Sequence, residues 1–120
     1  MSTLNVENIS DGTDTTATAN VVNGSAKAWA QCDETGSIGA SYNISSVSES
    51  GNVYTVNFES AFEDTSYVVQ LTAGDDNDST ASPSMIDVDN RTTSVFKFEV
   101  QNSSGTAVNT REYIAITVFR

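Results

Sequence analysis

The sequence has no histidine, and Cys32 is its single cysteine. Without histidine, Ser–His–Asp and Cys–His catalytic arrangements and the usual zinc sites are excluded. One cysteine cannot form a disulfide within the chain, so we expect Cys32 to be a small buried residue on a strand. No glycine-rich phosphate-binding motif occurs either. We therefore predict a non-enzymatic protein that has no catalytic residue and needs no cofactor.

Basic residues are also scarce, since five Lys and Arg stand against 16 Asp and Glu and give a net charge of −11. Phosphate backbones and anionic lipids are bound mainly by Lys and Arg, so we expect neither a nucleic acid nor a membrane surface as a partner. No apolar run approaches the roughly 20 residues of a membrane helix. The opening residues lack the basic and apolar regions of a secretory signal, so we expect synthesis in a cytoplasm.

Strong helix formers are few, whereas Val, Ile, Thr, Tyr and Phe are plentiful and fit pleated strands. Alternating apolar and polar residues predict six or seven strands spaced about ten residues apart. The clearest are Val53–Phe58 and Val95–Val100, while the run 38–47 changes register and predicts a bend. Residues 112–120 are apolar on both faces, as in the middle of a sheet or at a subunit interface. The pattern predicts an all-β domain, an antiparallel, jelly-roll-like β-sandwich, over residues 25–120.

Residues 1–24 are polar, rich in Thr, Asn and Asp, and contain only brief apolar pairs. This composition predicts an extended N-terminal arm that is ordered only where something holds it. Leu4, Val6 and Ile9 form its apolar patch, with Leu4 and Val6 on one face of an extended chain. We predict that the arm is an attachment segment and that these three residues contact a partner.

Four large aromatic residues lie within strand patterns: Trp29, Tyr42, Tyr67 and Tyr113. Exposed rings beside Asn and Asp bind sugars by stacking and hydrogen bonding. Aromatic residues on strands are more often buried, so we expect all four in the core, with Trp29 the largest core candidate of its strand.

The acidic loop Asp75-Asp76-Asn77-Asp78 offers clustered oxygen atoms, which suit calcium. Asp87 and Asp89 would join them if the strands brought the two segments together. The spacing lacks the glycine and distal glutamate of an EF-hand, so a solvated loop is the favoured interpretation and no metal ligand is predicted. Whether Asp75, Asp76 and Asp78 bind calcium stays open.

Three segments resemble recurrent segments of bacteriophage tail-fibre and related virion surface proteins. They are Val21–Trp29 (VVNGSAKAW), Ser41–Val47 (SYNISSV) and Tyr54–Phe58 (YTVNF). The opening Ser2–Val6 and the segment Ala61–Val69 are also similar to those proteins. The resemblance extends over residues 2–70, and it assigns no functional residue.

The resemblance implies a structural protein located on the virion, as a fibre tip, a head fibre or a decoration protein. It implies a homotrimer, because fibre modules generally assemble about a threefold axis. Other virion proteins would then be bound through residues 1–24. The alternative from a different class is a carbohydrate-binding module that recognises the host, which makes surface glycan a further candidate partner.

Overall fold

Two four-stranded antiparallel sheets form the body of the molecule. A computed structural model describes residues 2–75 and 84–120. The first sheet has the strand order β4-β3-β10-β7 and the second has the order β5-β6-β9-β8. The predicted all-β antiparallel sandwich is therefore confirmed. Within the described ranges the elements are β1 (Asn8–Ser10), β2 (Thr15–Ala17), α1 (Thr18–Gly24), β3 (Ala26–Cys32), β4 (Ile38–Tyr42), β5 (Ile44–Ser50), β6 (Val53–Phe58), β7 (Val68–Gly74), β8 (Met85–Asp89), β9 (Val95–Gln101) and β10 (Tyr113–Phe119).

The core lies between the two sheets and follows the alternation in the sequence. On β6, Tyr54, Val56 and Phe58 point inward and are buried, as predicted. The same alternation runs through β9 and β10, where every second residue is buried. Each large apolar side chain buried in this way contributes roughly 1.5–3 kcal/mol. The buried residues are Ala28, Ala30, Cys32, Ile44, Val47, Tyr54, Val56, Phe58, Tyr67, Phe96, Phe98, Val100, Ile114, Ile116 and Val118.

The two sheets contribute side chains of different size to this core. The first sheet contributes small and aliphatic residues from β3 and β10, whereas β6 and β9 of the second sheet contribute rings. The Tyr54 and Phe98 rings stack with their centroids 4.8 Å apart, and the Phe58 ring packs edge-on against Tyr67 at 5.4 Å. The core is thus aromatic on the side of the second sheet and is built of small and aliphatic side chains on the side of the first.

The two buried tyrosines also hold loops in place. The Tyr54 hydroxyl donates to the Glu34 carbonyl at 2.8 Å, and the Tyr67 hydroxyl donates to the Thr92 carbonyl at 2.8 Å. A buried hydroxyl needs such a partner, because leaving it unpaired costs about 1–3 kcal/mol. Each ring therefore fills the core while its polar end fixes a turn at the edge of the sandwich.

The chain passes from the first sheet to the second at Asn43, between β4 and β5. Asn43 has φ +52°, a left-handed conformation that Asn tolerates better than most residues. Its side-chain amide donates to the Lys27 carbonyl at 3.2 Å and to the Ser60 carbonyl at 3.3 Å. The amide oxygen accepts from the Ser60 N–H at 2.7 Å. The bend predicted within residues 38–47 is confirmed, and one side chain holds it.

The arm, predicted to be extended, contains a hairpin of β1 with β2 followed directly by α1, so that prediction is incomplete. The bonds that shape this segment are local. The Thr18 N–H donates to the Glu7 carbonyl at 2.8 Å, and the Thr18 hydroxyl donates to the Val6 carbonyl at 2.6 Å. No residue of α1 is buried, which explains why its sequence carries no helical pattern of apolar residues.

The turn between β3 and β4 requires a glycine at position 36. Gly36 has φ +83°, and a Cβ there would lie 2.7 Å from the Val47 carbonyl oxygen.

We expect Gly36→Ala to lower the free energy of unfolding, measured by urea denaturation, by roughly 2–3 kcal/mol, since a left-handed residue costs about 1–2 kcal/mol before the clash is added. Gly51→Ala is the control, because Gly51 has φ +61° and a Cβ added there would meet nothing within 4 Å. Equal losses in the two variants would contradict the steric argument.

Burial raises the pKa of Tyr54 from 10.0 to about 12, and the neighbouring Glu49 carboxylate adds to the effect. The folded protein therefore holds this proton more tightly than the unfolded chain. The resulting stability is fully present below pH 10 and is lost as the pH rises to about 12. We expect urea denaturation across this window to show a decrease of up to about 1.4 kcal/mol per pH unit from Tyr54.

Tyr54→Phe should remove this part of the alkaline decrease and cost about 1 kcal/mol at neutral pH, where the Glu34 carbonyl loses its donor. Tyr42→Phe is the matched control, since the Tyr42 ring is 58% exposed, and it should keep the wild-type slope. An unchanged slope in Tyr54→Phe would contradict the assignment.

Candidate binding surface

The strands of the two sheets differ in charge. The four strands of the first sheet contain no Asp or Glu, and Lys27 is their one charged residue. The strands of the second sheet carry Glu49, Asp87, Asp89 and Glu99. In a chain with 16 acidic residues, the strands of the first sheet therefore contribute no negative charge to its outer surface.

The outward side chains of the first sheet form a surface that we call the acid-free face. The strand register places Trp29 opposite Thr117 on one side and opposite Tyr42 on the other. Trp29 is 42% exposed and Tyr42 is 58% exposed. The residues of the acid-free face are Ala40 and Tyr42 of β4, Trp29 and Gln31 of β3, Tyr113, Ala115, Thr117 and Phe119 of β10, and Val68, Gln70 and Thr72 of β7.

The expected core position of three of the four aromatic residues is wrong. Tyr67 is buried, but Trp29, Tyr42 and Tyr113 are exposed. For Trp29 the reason lies in β3, where the register that contains Ala28 faces inward and the register that contains Trp29 faces outward. The inward register is wholly apolar, whereas Trp29 shares its register with Lys27 and Gln31, so the pattern of the whole strand decides the orientation and not the size of one ring.

The arm places its predicted contact residues on its surface. Leu4 is 85% exposed, Val6 is 43% exposed and Ile9 is 45% exposed. Ile9 lies opposite Thr16 in the hairpin, Val6 lies beside Thr18, and Leu4 precedes the hairpin. None of residues 2–25 is buried. The role of the three apolar residues in binding stays a prediction.

The hairpin of the arm is closed by Asp11. Its carboxylate accepts from the Thr13 and Asp14 N–H groups, both at 2.9 Å. The N–H group of Asp14, followed by that of Thr13, lowers the pKa of this carboxyl, because both bonds favour its charged form. The arm is thus a small self-contained hairpin and helix that presents its apolar side chains to solvent.

The arm leaves the sandwich at one end of the acid-free face. Its last residues lead into β3, and the Lys27 ammonium donates to the Ser25 carbonyl at 3.0 Å and to the Val22 carbonyl. Ala26, at the start of β3, pairs with Phe119 at the end of β10. The arm and this face are therefore continuous.

A polar concavity lies at the β4 edge of the acid-free face, where the chain crosses between the sheets. It is lined by Tyr42 and by residues on both sides of the crossing. Asn43 lies in its wall, but its amide is occupied by the bonds that hold the bend. Its lining residues are Ser41, Tyr42, Asn43, Ile44, Glu59 and Ser60.

The described residues offer little reactive chemistry. Cys32 is fully buried, and burial, followed by the nearby Asp33 charge, raises the pKa of its thiol to about 11. Few Cys32 thiolates exist at neutral pH, so this residue is no nucleophile. Within residues 2–75 and 84–120, no group of three or more Cys, Asp and Glu side chains is placed to hold a metal ion. Over the same residues, no helix is long and apolar enough to cross a membrane.

Of the acidic loop considered for calcium, only Asp75 is among the described residues, and its carboxylate pairs with Arg111 at 3.2 Å. Asp76, Asn77 and Asp78 lie outside the described residues. Asp87 and Asp89 lie on β8, opposite Glu99 and Lys97.

Residues 38–117 match the model of a family described as "Putative tail fiber protein gp53-like, C-terminal". The match begins at β4 and ends within β10, so it spans most of the sandwich and excludes the arm. No curated protein and no solved structure gives a significant match to the chain.

Proposed function

The chain belongs to the family of gp53-like tail fibre C-terminal domains, and from this premise we propose that it is a non-enzymatic structural module at the tip of a phage fibre. In this proposal three copies assemble side by side, and residues 1–24 attach them to another virion protein. Membership of the family supports a role in a fibre, and the burial of the chain's own residues supports different roles for the sandwich and the arm.

The observation that carries the proposal is the unequal burial of the two parts. Every core residue that the structure describes lies between Ala28 and Val118, so the sandwich has a complete core without the arm. The arm, in contrast, buries no residue among positions 2–25. Leu4, Val6 and Ile9 contribute little to the stability of the arm while they are exposed. Covering them with a partner would remove their apolar surface from water and so favour binding.

The attachment role is tested in a phage that encodes this chain by the triple substitution Leu4→Asp, Val6→Asp and Ile9→Asp. We expect at least about a tenfold decrease of the chain in purified particles, since the loss of about 1.4 kcal/mol of binding already gives tenfold. Quantitative mass spectrometry of the particles measures the decrease. The melting temperature of the purified variant should change by less than about 2 °C, because no substituted residue is buried.

The matched control is Thr3→Asp, Asn5→Asp and Asn8→Asp, which adds the same charge at exposed neighbouring positions of the arm. It should be incorporated at the wild-type level. Normal incorporation of the apolar triple variant would remove the attachment role from these residues, and equal loss in both variants would attribute the effect to charge alone.

A second candidate function, binding of host surface glycan, is favoured by the concavity beside Tyr42. The exposed Tyr42 ring supplies a stacking surface, and Glu59 and Ser60 in the same lining carry oxygen atoms of the kind that hydrogen-bond sugar hydroxyls. The lining residues are polar except for Ile44, which suits a sugar rather than a small hydrophobic ligand.

This second function predicts saturable binding of host-cell polysaccharide that Tyr42→Ala weakens by at least about tenfold. Isothermal titration of the purified protein with the polysaccharide measures the affinity. Tyr113→Ala is the matched control, since it removes another exposed tyrosine from the same sheet but outside the concavity. Absence of saturable binding in the wild type would dismiss the glycan function and leave the structural one in place.

A further inference from the structure

The acid-free face combines two properties that rarely meet on the surface of a lone acidic protein. It exposes Trp29, Tyr42, Val68 and Tyr113, and its four strands carry no acidic residue. Large exposed apolar surfaces mark interaction sites. Loss of charge together with enrichment in aromatic residues is the composition of the centre of a protein interface.

We propose that copies of this chain pack against one another through the acid-free face, with Trp29 and Thr117 at its centre. The proposal rests on the proposed function, in which three copies assemble, and it names the surface that they share. In a threefold assembly of this kind, the side chains of the three faces would pack against one another about the axis.

Charge favours a second copy of this chain as the partner that binds the acid-free face. A basic partner would gain most by contacting acidic residues, and among the strands of the sandwich these lie on the second sheet, as at Asp87, Asp89 and Glu99. Strands without acidic residues instead allow close contact with a partner that is itself acidic, because they avoid the unfavourable contact of like charges. A second copy carries the same net charge of −11 and presents the same face.

The position of the arm agrees with this arrangement. The arm enters β3 at the end of the face where Ala26 pairs with Phe119. A threefold axis places the three arms at the same level along the axis, and packing through this face brings the start of each β3 next to the interface.

The proposal is tested with Thr117→Glu, which places a charge at the centre of the face. Thr55→Glu is the matched control, because Thr55 is also a half-buried, outward threonine on a central strand, but of the second sheet. Light scattering after size exclusion should give a wild-type mass three times the 12.7 kDa of one chain. We expect Thr117→Glu to weaken assembly by at least about a hundredfold, since a buried unpaired charge is strongly destabilising, and Thr55→Glu to assemble normally.

Trp29 is the single tryptophan of the chain, so its fluorescence reports directly on the face. In the assembled wild type its emission should lie at shorter wavelength and resist quenching by acrylamide. In Thr117→Glu the ring should be quenched readily, as expected for a side chain that is 42% exposed in one chain. Circular dichroism checks that the Thr117→Glu variant is folded. Thr117→Ser is a second, milder variant, and it should assemble like the wild type.

The outcomes separate this proposal from the proposed function. If the wild type is a trimer and the two Glu substitutions weaken assembly equally, or neither weakens it, the acid-free face is not the interface, and the proposed threefold assembly still stands. A wild-type dimer that only Thr117→Glu dissociates supports the face and contradicts the trimer. A wild-type monomer with a freely quenched Trp29 overturns both. A blue shift of Trp29 on addition of host polysaccharide, with the mass of one chain unchanged, assigns the face to sugar and overturns the proposal.

Salt provides an independent readout. Charges outside the face repel between copies, and salt screens that repulsion, with a screening length of about 10 Å at 0.1 M. Assembly through apolar contacts should therefore strengthen as the salt concentration rises by about tenfold from a low-salt buffer. Weakening with salt would indicate an interface held by ion pairs and would overturn the proposal.

Discussion

Rings of one sheet packed against small side chains of the other determine the shape of this molecule. Tyr54 and Phe98 stack within the second sheet, and the facing strand β3 presents Ala28, Ala30 and Cys32 to the same core. Protein interiors are packed as densely as organic crystals, so bulk on one side demands smallness on the other. The large side chain of β3, Trp29, lies in the opposite register and is exposed.

Much of the sandwich could be predicted from alternation, because strands with one apolar register have only one way to face the core. β6 and β9 belong to this class, and both their bounds and their buried residues follow from the sequence. The bend near Asn43 was also visible as a change of register. Strand β3 was predicted the wrong way round because the size of Trp29 was given more weight than its register. Lys27 and Gln31 in that register are polar, whereas Ala28, Ala30 and Cys32 in the other are small and apolar.

The candidate surface was less accessible to sequence analysis than the fold. The absence of His and the low content of Lys and Arg argued against several functions, but they did not locate a binding surface. Locating one required knowing that β4, β3, β10 and β7 are neighbours, since only then does the absence of acidic residues become one continuous area. The hairpin and helix of the arm could not be predicted from the sequence for a different reason. They are held by local bonds, such as those of Thr18 and Asp11, and bury nothing, so they leave no pattern of apolar residues.

The junction at Ser25 has a consequence for the history of such genes. All buried contacts that the structure describes lie beyond this point, and the bonds from Lys27 to the Val22 and Ser25 carbonyls use backbone oxygen atoms that any sequence supplies. A genetic exchange that replaced residues 1–24 with an unrelated segment would leave the sandwich folded and its outer face unchanged. Under the proposed attachment role of residues 1–24, the same sandwich could thereby be transferred between particles of different architecture.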